Sequence, residues 1–360
     1  MTDLNNTVEI IEALIRKAFE PSSFVDFKKF QGADWREVMR IVSAQGVFAI
    51  VFDGVEELPD NCRPDKQTLM QWFGQVCYQE RMYERNWDVA KKLSDLWLSK
   101  GIETVVLKGR TIAQYYPKPA HRYSCDLDVF VGNSWNKACQ MLEARGVKLV
   151  YEVYKEVEFT LDNVYVECHR YITPFRGNKT LLRFEECLRH LLSEASKRQF
   201  EETSLFCPPL MFIVLLFIEH ALGDLLHGKL SLKHLVDWII LRKQSFNYSA
   251  FELYCKEFGF DKFLSFIDSL ADVVEGKKDV SALPEVYSGV YKSLFVIPSI
   301  SSEPKSWFAR RVSLFFEIVK NRRMYQHFGY CSMEKFLIRS VWYHFFLGNV
   351  EKFEGRRGFG

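Results

Sequence analysis

The sequence has no C-x-x-C pair, no long apolar run and almost no net charge, and each absence removes a class of protein. Its nine cysteines are scattered singly, so neither a disulfide ladder nor a cysteine-built zinc ribbon is expected, and reduced thiols fit a cytosolic chain. The longest apolar run, Leu210 to Ile218, ends at Glu219 and His220. That is far short of the roughly 18 residues a membrane span requires, so it reads as a buried helix and no transmembrane segment is expected. The opening Met1-Thr2-Asp3-Leu4-Asn5-Asn6 lacks the basic and apolar regions of a signal peptide, which makes the cytoplasm the expected compartment. Forty-eight basic against forty-six acidic residues leave a formal charge of +2. This removes the chain-wide basic excess of proteins that coat nucleic acid, so sequence-specific DNA binding is not expected, although a local basic patch remains open. No G-x-x-x-x-G-K-S/T, G-x-G-x-x-G or G-x-S-x-G motif occurs, which argues against P-loop, Rossmann and serine-hydrolase chemistry.

What is present is apolar content of 48% with 15% aromatics over 360 residues, enough for one large core or two smaller ones. Val8, Ile11, Leu14 and Ile15 recur at helical spacing, Asp34 is placed to cap a helix starting at Trp35, and a long helix is expected from about Lys66 to Ser99. At Gly101 the pattern changes. Thr104-Val105-Val106-Leu107 reads as a buried strand stopped by Lys108-Gly109, and Leu127 to Val131 as a second, followed by a helix from Ser134 to Ala144. Strands are then expected near Lys148 to Tyr154, Val157 to Leu161 and Val164 to Arg170, with Asp162-Asn163 as the turn between the last two. From about Leu181 the periodicity is helical again. The expected fold class is α+β: an N-terminal helical region over residues 1–100, a small mixed β-sheet core over 101–180, and a C-terminal helical region over 181–360 that forms part of a substrate cleft.

The chemistry-bearing stretches are Leu107-Lys108-Gly109-Arg110, Arg122-Tyr123-Ser124-Cys125-Asp126-Leu127-Asp128-Val129 and Val164-Tyr165-Val166-Glu167-Cys168-His169. Alternation along a strand puts Asp126 and Asp128 on one face while Leu127 and Val129 enter the core, and puts Tyr165, Glu167 and His169 on one face of the other strand. Like charges held this close call for a cation, and Mg²⁺ takes hard oxygen ligands completed by substrate phosphates. Read alone, an Asp-x-Asp tripeptide is an exposed strand end more often than a site. Cys125 and Cys168, which lack metal-ligand spacing, read as small core residues.

Together these segments resemble the DNA polymerase β-type nucleotidyltransferase fold, and in particular the bacterial group of uncharacterised nucleotidyltransferases: Leu-Lys-Gly ending the first strand, Arg then Asp-x-Asp, and an acidic-x-His strand. The likeness covers about Glu103 to Ile172. It implies that Asp126 and Asp128 hold Mg²⁺ or Mn²⁺, and that Glu167 binds the catalytic metal and helps deprotonate an acceptor hydroxyl. A nucleoside monophosphate would then pass from an NTP, ATP by expectation, to that hydroxyl with release of pyrophosphate. Gly109 would close the turn beside the triphosphate, Lys108 and Arg122 would neutralise phosphate charge, and His169 would orient the site or contact substrate, or else act as a structural hydrogen-bond partner. Arg110 stands where the wider superfamily has Gly or Ser after the Gly, which keeps a second reading in play, a catalytically silent module that binds a nucleotide or a partner protein. The acceptor, whether small molecule, sugar, protein or RNA end, is not written in these residues.

His220, Asp224, His227, His234 and Asp237 fall in one helical region and invite a zinc site. Gly223 and Gly228 interrupt it, however, and packing against the cleft, with Asp237 or His220 as buried polar anchors, is the favoured reading. Lys305 to Arg311 and Lys320, Arg322, Arg323 and Tyr325 mix basic and aromatic residues, as an ordinary amphipathic helix with snorkelling arginines does, and as surface-binding helices do.

Overall fold

Two aspartates start the N-terminal helices. Asp34 accepts a hydrogen bond from the Glu37 amide at 3.1 Å, and Asp65 accepts from the Gln67 and Thr68 amides at 2.9 and 3.0 Å, each satisfying donors that a helix start leaves orphaned. The computed structural model describes residues 4–150, 155–174, 178–193, 197–200, 202–297 and 321–329. Helices α1 (Leu4–Phe19), α2 (Trp35–Ala44), α3 (Phe48–Glu56) and the long α4 (Lys66–Leu98) precede the sheet. Helix α3 crosses α1 at Gly54, where a Cβ would lie 2.1 Å from the Leu14 carbonyl oxygen, so only glycine permits this approach.

The sheet contains β1 (Thr104–Val106), β2 (Asp126–Phe130), β3 (Glu156–Leu161), β4 (Val164–His169), β5 (Arg198–Gln199) and β6 (Leu205–Cys207). Their order is β3-β4-β2-β1-β6-β5. Strand β2 runs parallel to β4 and antiparallel to β1, and β1 runs parallel to β6. The β3–β4 hairpin turns at Asp162 and Asn163, with φ of 50° and 60°, the left-handed pair that a two-residue turn needs. Short helix α5 (Arg110–Ala113) follows β1, and α6 (Trp135–Glu143) follows β2. Beyond the sheet come α7 (Lys179–Leu191), α8 (Leu210–Leu226), α9 (Leu232–Leu241), α10 (Tyr248–Phe258), α11 (Asp261–Val274) and α12 (Glu285–Ser293), with a last described helix at Arg322–Phe328. The architecture is the expected α+β one, with helices on both sides of a mixed sheet in the sequence. The sheet also draws β5 and β6 from beyond residue 180.

Two cores lie on opposite faces of the sheet. Leu127, Val129, Val157, Val166 and Cys168 pack with α4 and α6. Val105, Leu107 and Phe130 join the other, which unites the N-terminal helices with α8 to α11. Because Asp126, Asp128 and Phe130 share one face of β2, the carboxylates look toward the C-terminal helices.

Several expectations need correction. Cys168 is buried as expected, but Cys125 is exposed, since it precedes β2 in a loop where no core faces it. Of the strand expected near Lys148 to Tyr154, Val150 bridges to Glu158, and residues 151–154 lie outside the described set. Lys305 to Arg311, Lys320 and the C-terminal tail also lie outside it. In the helix Arg322–Phe328, Tyr325 is buried while Arg322 and Arg323 are exposed. No helix among the described residues is long and apolar enough to cross a membrane.

Candidate active site

The β2–β4 register sets Asp128 directly beside Glu167 and Asp126 beside Tyr165. Parallel pairing of two strands with matching alternation therefore brings carboxylates from distant parts of the chain to one face. Lys108, two residues past β1, points its ammonium into them: Nζ lies 3.0 Å from Asp128 Oδ1. Burial alone would lower its pKa, yet the charges of Asp128, Asp126 and Glu167 hold it far above the ordinary lysine value. The ammonium pairs with Asp128, and the charges of Asp126 and Glu167 act on it from the same strand faces.

His169, fully buried, closes the cluster. Its Nε2 lies 2.9 Å from Asp128 Oδ1 and 3.6 Å from Glu167 Oε2, and its Nδ1 lies 3.2 Å from Glu156 Oε2. Burial opposes ionisation of Asp128, but Lys108 and His169 outweigh it and keep this carboxyl well below the usual range. Asp126 moves the other way, pushed up first by burial and then by the charge of Asp128. His169 is raised: burial and Lys155 oppose its charge, and the Asp128 and Glu167 carboxylates outweigh them.

The donor set fits a divalent ion. One ligand atom each from Asp128, Glu167 and His169 lie within 4.8 Å of one another. Two carboxylates with one imidazole suit Mg²⁺ or, better, Mn²⁺, which accepts nitrogen more readily. Asp126, half-buried on the same strand face, can complete the set.

Gly109 has φ 71° and ψ −103°, and a Cβ there would stand 3.2 Å from Ser124 Oγ. Glycine is favoured by the left-handed conformation, and a side chain there would also crowd Ser124. Arg110 points away from this turn: its guanidinium is stacked between the rings of Tyr83 and Trp87 on α4, 4.3 and 4.2 Å from their centroids.

The structure gives Arg122 a partner other than phosphate. It is 5% exposed; its Nε and Nη2 donate to the two carboxylate oxygens of Asp237 on α9 at 2.7 and 2.8 Å, and Nη1 donates to the Gly109 carbonyl at 3.3 Å. Tyr116 also donates to Asp237, at 2.6 Å. On the other side of the same loop, Lys118 and His121 reach Asp53 of α3 at 2.6 and 2.8 Å. The loop between α5 and β2 is thereby fastened to helices from both ends of the chain.

Sequence reasoning did not single out Glu156, Glu158, Lys233 or Glu219. Glu156 and Glu158 share the carboxylate face of β3, opposite His169 and Glu167; the alternation Glu156-Val157-Glu158 carries that signal. Lys233 sits 3.5 Å from Asp237; burial and then Arg122 lower its pKa, against the opposing charges of Asp237 and Asp126. Glu219 is buried on α8, and its carboxyl is pushed up to about 7, mainly by burial. Both sit on helices whose approach to the sheet is a tertiary fact.

No curated protein and no solved structure matches the sequence. Residues 31–274 match the model of a family described as uncharacterised nucleotidyltransferase, a span that takes in α2 through α11 and every residue of the cluster. The chain belongs to that uncharacterised nucleotidyltransferase family.

Proposed function

We propose that the chain is a metal-dependent enzyme of the polymerase β type that moves a nucleoside monophosphate from an NTP, ATP in the first instance, to an acceptor hydroxyl with release of pyrophosphate. The observation that carries this reading is the β2–β4 pairing that sets Asp128 beside Glu167, with Asp126 on the same strand face and the Lys108 ammonium 3.0 Å from Asp128. Nucleotidyl transfer at an α-phosphate needs a compact negative cage that can hold Mg²⁺ or Mn²⁺, and the cation supplies charge neutralisation for the attacking and leaving oxygens. Asp126, Asp128 and Glu167 would hold it. His169 orients Asp128 and Glu167 from behind. Lys108 can turn from Asp128 to phosphate oxygens once a divalent ion takes over the carboxylates. Gly109 keeps the turn free of side chain, and Arg122, paired with Asp237, holds that turn by its carbonyl.

A second reading, a silent nucleotide- or protein-binding module, is favoured by one observation. Both Lys108 and His169 already engage Oδ1 of Asp128, a self-neutralised arrangement that needs no metal. Calorimetric titration with Mn²⁺·ATP, together with pyrophosphate release from Mg²⁺·ATP across pools of hydroxyl acceptors, separates the two. Turnover supports the enzyme; binding with no pyrophosphate from any pool would leave the silent module.

A further inference from the structure

Across from the carboxylates, α8 and α9 carry a second chain of polar groups that the reading above does not use. It begins at the start of α9. The Ser231 backbone N–H donates to His234 Nδ1 at 3.1 Å. An amide nitrogen can only donate, so Nδ1 is the acceptor and the ring proton sits on Nε2. That nitrogen lies 3.0 Å from Asp224 Oδ2 and donates to it. The same carboxylate oxygen lies 3.5 Å from His220 Nε2, one helical turn earlier on α8. His220 therefore has one nitrogen facing a fixed carboxylate, while no hydrogen bond from the described residues reaches its Nδ1. Its side chain is 45% exposed, in contrast to His234 at 9%.

This is the order of groups found where a base is held for proton abstraction: a buried orienting group, a carboxylate, and an open imidazole. The alternative, a His-Asp-His metal site, meets an obstacle in His234. Coordination through its Nε2 would need the proton moved to Nδ1, where it would face the Ser231 N–H.

We propose that His220, oriented by Asp224 and His234, is the general base that accepts the acceptor hydroxyl's proton. The inference rests on the nucleotidyltransferase reading. The O–H bond breaks toward His220 Nδ1, the freed oxygen pair forms the new bond to the α-phosphorus, and the bond from that phosphorus to the bridging oxygen breaks with its electrons leaving on pyrophosphate. The imidazolium returns its proton to solvent through its exposed edge. The charged groups that act on His220 are Lys108, Asp128, Asp224 and His234. The Lys108 ammonium is the largest influence and holds the imidazole well below its ordinary pKa, so the base is free of its proton at neutral pH.

The test uses the full chain, Mg²⁺·ATP, and water together with pooled hydroxyl acceptors, reading pyrophosphate release against pH. Wild-type activity should rise through an acid limb that disappears in His220→Gln. That variant and His220→Ala should lose about 100-fold in rate while Mn²⁺·ATP binding and the melting temperature stay close to wild type. Added imidazole should restore part of the rate to His220→Ala, and Asp224→Asn should fall by about tenfold. Wild-type rate and an unchanged pH profile in His220→Gln would overturn the base assignment alone. So would tight Zn²⁺ binding by the wild type that His220→Gln abolishes, which would reassign the cluster to metal. A wild type that releases no pyrophosphate from any pool overturns the nucleotidyltransferase reading, and the base with it.

Discussion

Arg122 and Asp237 meet in a two-pronged ion pair, with donor distances of 2.7 and 2.8 Å, between a loop that enters the sheet and a helix more than a hundred residues later. Both are almost completely buried, so the pair is worth most when neither partner is left alone. Arg122→Met should destabilise the fold by about 3 kcal/mol, read by urea unfolding, and should loosen the Gly109 turn. No loss of stability would mean that the pair is dispensable for docking α9 on the sheet.

The same pair makes stability depend on acid. Burial raises the Asp237 carboxyl, but Arg122 and Lys233 overcome it and set its pKa to about 2, below the unfolded value of about 4. A depressed carboxylate pKa contributes stability that is complete above the unfolded value and fades as pH falls through the folded one. Wild-type protein should lose on the order of 2 kcal/mol from this group between about pH 4 and pH 2. Asp237→Asn should show a flatter curve there, and parallel curves would contradict the assignment.

Asp128→Asn should abolish metal-dependent nucleotide chemistry and weaken Mn²⁺·ATP binding by about 100-fold or more, with the circular dichroism spectrum retained. Asp126 and Glu167 remain to offset Lys108, which is why the fold should survive. Unchanged binding would remove the carboxylate assignment.

Lys108→Met removes the ammonium that competes for Asp128. Nucleotide-free Mn²⁺ should then bind about tenfold tighter, a gain of about 1.4 kcal/mol, while pyrophosphate release collapses for want of a phosphate contact. Calorimetry with Mn²⁺ alone decides it: weaker binding would show that the lysine does not occupy the cation's place.

Gly109→Ala forces a side chain onto a backbone with φ 71° and toward Ser124. The expected cost is about 1–3 kcal/mol, accompanied by reduced affinity for Mn²⁺·ATP. Guanidinium unfolding of Gly109→Ala and of Gly109→Ala with Ser124→Gly separates conformational strain from crowding, since only crowding is relieved in the double variant.

Much of this was written locally. The alternation Asp126-Leu127-Asp128 and Val164 to His169 fixed which side chains leave the core, because strand geometry has a period of two whatever the surroundings. Asp34 and the Asp162-Asn163 turn announced their elements through hydrogen bonds and dihedrals that span a few residues.

The sequence by itself determined the helix starts, the hairpin and the polar face of each strand, since those depend on interactions within a turn or two of chain. Only the tertiary structure decided that β2 and β4 lie parallel with Asp128 beside Glu167, that Arg122 spends its guanidinium on Asp237, and that Arg110 lies between Tyr83 and Trp87. Such pairings join residues tens to more than a hundred positions apart, and their partners are chosen by which faces the two cores bury against each other, a property of the packed molecule that no local stretch of sequence contains.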